Sequence, residues 1–221
     1  MALKIGVVSQ KGGVGKSSLV RALAVEYARN GFSVKIADMD LRQKTTTEWN
    51  CIRMENHHSP TLAVEPFASV RDVLKQEPHY DLILFDGVGQ ADTQTLEIAK
   101  ASNFIILPTG VTRDDLIPQV KLAHELRKKG IDKSRLAFAL SRVGGSTVEQ
   151  EAATEFIQDA GYYCAGSIQE RTSIGQCHDN GLAANETKYP SVNLIIDQLI
   201  QNLGDRINLI EVNNGKITEA Q

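Results

Sequence analysis

Near the start of the chain, Gln10-Lys11-Gly12-Gly13-Val14-Gly15-Lys16-Ser17-Ser18 has the residue types and spacing to hold a string of phosphates. Its glycines let backbone N–H groups turn inward without side-chain obstruction, so that they can ring phosphate oxygens. A helix starting directly behind them adds the positive end of its dipole. Lys16 supplies a mobile charge for β- and γ-phosphates, and the Ser17 hydroxyl can enter the shell of a Mg²⁺ ion. Charge-assisted contacts are worth about 1.5–3 kcal/mol each, so several together make micromolar nucleotide binding reasonable. An incidental glycine-rich turn has no reason to follow a strand-like run and open a helical one, as this stretch does.

Two acidic positions complete the chemistry. Asp38-Met39-Asp40 follows the apolar run Ser33 to Ala37, and Asp86 closes Asp81-Leu82-Ile83-Leu84-Phe85. Open α/β sheets place their ligand crevice at the carboxyl ends of the strands, where both acids fall. A carboxylate there can hydrogen-bond an attacking or metal-bound water in phosphoryl transfer. Four apolar residues ending in an acid is the pattern that reaches Mg²⁺, directly or through water, which assigns Asp86 to the metal with Ser17. Alone, an Asp after a strand more often caps a helix. Behind a phosphate loop, the metal role takes precedence.

The elements that must position these groups are short, nearly continuous apolar runs of the kind buried on both faces. Strands are expected at Leu3 to Ser9, Ser33 to Ala37, Leu62 to Glu65, Asp81 to Phe85, Asn103 to Pro108 and Arg135 to Leu140. Helical spacing occupies Ser17 to Asn30, Thr93 to Ala101, Asp114 to Lys129, Thr147 to Ala160 and Ser191 to about Leu203, with Gly31 and Gly130 placed as helix stops. Alternation with short connections implies a doubly wound α/β fold, a mostly parallel sheet flanked by helices. Residues 1–212 read as a single domain and 213–221 as a polar, frayed tail. No apolar run approaches the roughly 18–20 residues that cross a bilayer. Three widely spaced cysteines suit reduced thiols in a cytoplasmic protein. The net charge of -3 does not suggest a dedicated sequence-specific DNA binder.

A second lysine, Lys11, stands before Lys16, and here the chain resembles the ParA/MinD family of deviant Walker A ATPases. That signature reads Lys-Gly-Gly-x-x-x-Lys-Ser/Thr, and Lys11 to Ser17 match every fixed position. The resemblance implies a P-loop NTPase with Lys11, Gly12, Gly13, Val14, Gly15, Lys16, Ser17 and Ser18 on ATP. It also implies that Lys11 reaches the phosphates held by the other subunit of a homodimer, offsetting charge at the γ-phosphate. Asp40, the second acid of the Asp-x-Asp motif, is then the water-positioning residue. The family's Pro-Gln-Gly-Ser is replaced here by Leu41-Arg42-Gln43-Lys44, and the turn after Asp86 is Gly87-Val88-Gly89; Trp49 reads as core. Ser141 and Arg142 occupy the place where relatives carry Asn-Arg or Asn-Lys near the adenine. Arg171, Lys188 and Arg206 are candidates for a basic DNA-facing surface.

Among family branches, the ParA type is the leading expectation: a cytoplasmic, nucleoid-associated Mg-ATPase. Its ATP-bound homodimer binds nonspecific DNA, and its turnover waits for a ParB-like or cargo-bound stimulating protein. The alternative is a MinD-like positioning ATPase on a membrane, for which Ile207 to Gln221, with Lys216 its one lysine, makes a poor amphipathic anchor. An iron–sulfur relative would need paired cysteines after the second switch. A kinase relative would carry a tyrosine-rich tail. A nonhydrolysing nucleotide scaffold also fits the altered switch turns.

Overall fold

The computed structural model describes residues 1–89 and 93–218, with side chains described through residue 210. Strands β1 (Leu3–Val7), β2 (Val34–Asp38), β3 (Ala63–Pro66), β4 (Leu82–Asp86), β5 (Phe104–Thr109), β6 (Leu136–Val143) and β7 (Tyr163–Gln169) form one sheet. Its order is β3-β2-β4-β1-β5-β6-β7, and every pairing is parallel. The helices are α1 (Lys16–Arg29), α2 (Thr45–Glu55), α3 (Val70–Leu74), α4 (Thr93–Ala101), α5 (Arg113–Lys128), α6 (Thr147–Asp159), α7 (Thr172–Asp179) and α8 (Pro190–Thr218).

Strand periodicity divides the core in two. Leu82 and Leu84 of β4 join the cluster under α1, α7 and α8, with Leu19, Leu23, Ile174, Ile196 and Leu203. Ile83 and Phe85 join the opposite cluster under α3 to α6, with Val73, Ile98, Leu116, Leu126 and Ile157. Both faces are therefore covered, as the apolar strand runs require. The β1 strand lies between β4 and β5, where the winding direction reverses, so the loop leaving it opens into the crevice that such sheets offer to ligands.

The expected doubly wound sheet and its helices are present, with four differences. The first strand stops at Val7, because Ser9 and Gln10 already turn into the loop. Helices α2, α3 and α7 and strand β7 lie where the sequence announces no element. The Thr45-Thr46-Thr47 run disfavours helix by crowding at Cβ, but Asp38 Oδ2 accepts from Thr47 N at 3.0 Å and holds the first turn of α2. The β7 strand is an edge strand of small residues in which only Ala165 and Ile168 are buried, so it lacks the apolar continuity of the others. Finally, the helix expected to close near Leu203 continues to Thr218, through most of the segment read as a frayed tail.

Candidate functional site

The loop between β1 and α1 owes its path to glycine. Gly13 (φ 74°) and Gly15 (φ 81°) adopt left-handed conformations, and a Cβ on Gly15 would sit 3.1 Å from Ser141 Oγ. The loop is braced from distant elements. Gln119 of α5, fully buried, accepts from Gln10 N at 3.0 Å and Ser9 Oγ at 3.2 Å, and donates Nε2 to Val8 O at 3.0 Å. At the end of β6, Ser141 Oγ donates to Val14 O and Arg142 Nη1 to Gly13 O at 3.1 Å. Ser141 and Arg142 thus support the phosphate loop itself, and Arg142 also grips Glu170 at 2.6 Å. Lys16 is only 7 % exposed, and Nζ has Lys11 O at 3.3 Å. Burial lowers its pKa, while Asp86 and Asp40 oppose the shift. An ammonium so enclosed, with a single long hydrogen bond among the described residues, is poised for an anion.

The sheet register sets the acids side by side: Val7, Asp86 and Asp38 are paired across β1, β4 and β2. Burial raises the Asp86 pKa, tempered by the Thr46 and Ser17 hydroxyls and Arg21 and reinforced by Asp38. Thr46 Oγ1 donates to Asp86 Oδ2 at 2.6 Å, whereas Oδ1 is buried and has no hydrogen-bond partner among the described residues. An orphaned carboxylate oxygen beside the Ser17 hydroxyl is a donor set that suits a hard divalent cation such as Mg²⁺. Asp38 is spent on structure, accepting from Thr47 N, Thr47 Oγ1 and Asp40 N. Asp40 borders the same cleft and accepts from Arg42 N and Gln43 N, both at 3.1 Å, which fixes the turn that carries it.

These groups line a cleft of about 340 Å³ that contains Gly12, Gly13, Gly15, Lys16, Asp40 and Asp86 together. A second, less polar cavity of about 590 Å³ adjoins it through Gly15, Ser18 and His178, and includes Ser141, Arg142, Ile168 and Arg171. Phosphate-sized and base-sized spaces therefore meet at the start of α1. The three proposed DNA contacts are not clustered by any described interaction. Arg171 lines the second cavity, Lys188 lies over the Tyr189 ring at 5.3 Å, and Arg206 is half-buried over Tyr163 at 5.3 Å.

Several residues that the sequence leaves unmarked help build the site. Arg21 donates to Thr45 O at 2.7 Å and Thr46 Oγ1 at 3.2 Å, with its guanidinium 5.2 Å from the Trp49 ring centroid. Burial brings Arg21 down to about 10, against the pull of Asp86 and Asp38, so it stays cationic. Trp49 is core as expected, and also donates Nε1 to Leu182 O. An arginine inside the apolar stripe Leu19-Val20-Arg21-Ala22-Leu23, and a threonine run directly after the acids, were the available signals. His178, which meets Ser18 Oγ at 3.2 Å, carried none.

The sequence profile of the CobQ/CobB/MinD/ParA nucleotide-binding domain matches residues 5–183, and the chain belongs to that family. Comparison with curated protein sequences gives no significant match. Among solved structures, the septum site-determining protein MinD of Pyrococcus horikoshii OT3, complexed with Mg-ADP, is 20 % identical. It has a TM-score of 0.73, covering 92 % of this chain and 96 % of its own. Apo McdA of Cyanothece is 12 % identical, with a TM-score of 0.72 over 92 % of this chain and 100 % of its own. A protein of Borrelia burgdorferi B31 described as a plasmid partition protein, bound to AMPPNP, is 16 % identical, with a TM-score of 0.72 over 93 % and 100 %. At such identities the likeness shows the shared fold.

Proposed function

We propose that this chain is an ATP-dependent dimeric switch that binds nonspecific DNA in its ATP state and positions or segregates a cargo. The observation that carries the reading is the convergence of Lys16, Asp40 and Asp86 Oδ1, which has no partner among the described residues, on one cleft, with the half-exposed Lys11 directly before its Gly12. Lys16 and the loop backbone bind the β- and γ-phosphates of ATP, and the adjoining cavity takes the base beside Ser141 and Arg142. Ser17 and Asp86 hold Mg²⁺, which neutralises phosphate charge when bound. Asp40 orients the attacking water, and Lys11 reaches the phosphates of a second copy. The Mg-ADP and AMPPNP ligands of the MinD and Borrelia structures support the choice of nucleotide and ion.

Exposed cations such as Arg171 and Lys188 supply phosphate contacts without base readout, so retention on DNA is sequence-independent and fades with salt. A cargo-bound stimulating protein accelerates hydrolysis and releases the dimer. The description of the Borrelia structure as a plasmid partition protein favours this branch. One observation favours the MinD-like alternative, attachment to an anionic membrane: α8 stays helical to Thr218.

Co-sedimentation separates the two. Random-sequence DNA and anionic phospholipid vesicles are each presented with ATP, ADP or no nucleotide across a salt series. We expect ATP-only retention on DNA, and the hydrolysis-impaired Asp40→Ala variant to stay bound for longer. Retention on vesicles alone would select the membrane reading. Retention that ignores nucleotide would remove the switch.

A further inference from the structure

We propose that Asp115 is a positioning residue that holds Lys11 to its own chain in the free protomer, so that this ion pair must open before Lys11 can engage a second copy's nucleotide. The inference rests on the ATP-dependent dimer proposed above and concerns how that dimer is restrained.

Lys11 Nζ lies 3.0 Å from Asp115 Oδ1, with the two side chains 41 % and 26 % exposed. The carboxylate is prepared for this contact. Its other oxygen, Oδ2, accepts from Thr112 Oγ1 at 2.7 Å, and the first turn of α5 is closed by Asp115 N donating to Thr112 O at 3.0 Å. Gly110 makes the arrangement possible, because a Cβ there would collide with the Asp115 carboxylate. Burial alone would raise the Asp115 pKa, but the Thr112 hydroxyl and Lys11 outweigh it and hold the group below the usual carboxylate range.

One turn further along the same helix face, Gln119 clamps Ser9 and Gln10. The α5 helix therefore grips the loop entry twice. The buried amide fixes the backbone, whereas the half-exposed ion pair fixes only the lysine. A salt bridge of that exposure contributes little and breaks readily, while the buried amide cannot let go without leaving polar groups unsatisfied. Paired with Asp115, the Lys11 charge is neutralised locally and directed at its own chain. A lysine cannot keep this partner and also extend to another subunit's phosphates. A twofold dimer must open the pair twice.

The test is the dimer dissociation constant of the full chain with AMPPNP and Mg²⁺, measured by sedimentation equilibrium. The proteins are the wild type, Asp115→Asn, Lys11→Ala and the double variant, with thermal melting to confirm the fold. Removing the restraint should tighten the dimer about 2- to 5-fold for each released pair, hence about 4- to 25-fold for the two. In the double variant that gain should vanish, because Asp115 acts only through Lys11. An Asp115→Asn dimer unchanged or weaker, beside a Lys11→Ala variant that fails to dimerise, would overturn the restraint and leave the cross-subunit role intact. Normal dimerisation of Lys11→Ala, or no wild-type dimer at any concentration, would instead overturn the underlying reading and the restraint with it.

Discussion

Two of the ion pairs that tie distant parts of this chain together do different jobs. Arg53 and Glu186, 1 % and 5 % exposed, meet through two hydrogen bonds of 2.7 and 3.2 Å. Arg53 also donates to Pro60 O and Gly181 O at 3.1 Å, and Glu186 accepts from Ala183 N and Arg29. No charge in that cluster lacks partners, and it staples α2 to the segment after α7. The pair of Lys11 and Asp115 stands beside the phosphate loop with its side chains 41 % and 26 % exposed. The first holds in place the helix whose Thr46 touches Asp86; the second can open at small cost. Burial, more than distance, decides which ion pair is structure and which can switch.

Arg53→Ala should produce the largest effect. It leaves Glu186 buried without its main partner, a change that costs about 3–5 kcal/mol in such settings. Urea unfolding measures it, and a loss below 1 kcal/mol would erase the contrast between the two pairs. A smaller effect comes from His178, between the clefts. Burial, aided by Arg21 and opposed by Asp179, pushes its pKa from 6.5 down to about 4. Its neutral form is the folded one, so its contribution is complete above pH 6.5 and is lost as pH falls through about 4. The loss is at most about 3 kcal/mol. Stability of the wild type should fall across that window more steeply than that of His178→Gln; parallel curves would show that the imidazole is not held neutral.

The Lys16→Ala change sharpens the comparison from the functional side. It should weaken ATP binding by roughly 10- to 150-fold, the equivalent of about 1.5–3 kcal/mol for one charge-assisted contact, as read by calorimetry. Undiminished affinity would refute the loop assignment. Asp115→Ala should change stability least, by no more than about 1 kcal/mol, as for other exposed pairs. A loss on the scale of Arg53→Ala would make the pair of Lys11 and Asp115 structural after all.

Much of the site could be read from local sequence. The loop from Lys11 to Ser17 and the acid ending β4 are contiguous patterns whose chemistry does not depend on what lies across the fold, and the structure places both on one cleft. Ser141 and Arg142 were placed by position after the apolar run Arg135 to Leu140, and they do reach the loop, though here they brace Val14 and Gly13. The resemblance already sets Asp40 apart from Asp38; both line the cleft, and the hydrogen bonds show that Asp38 also anchors α2.

The sequence by itself determined the alternation of buried strands and helices, the phosphate loop and the carboxylates at strand ends, because spacing along a strand or turn dictates these directly. Tertiary structure alone decided the rest. Gln119 meets Gln10 across 109 residues, Asp115 meets Lys11 across 104, and His178 meets Ser18 across 160. Such contacts arise only when sheet order and register bring separate helices to the same edge. A glutamine, an aspartate or a histidine on a helix carries no local mark of the partner it will find there.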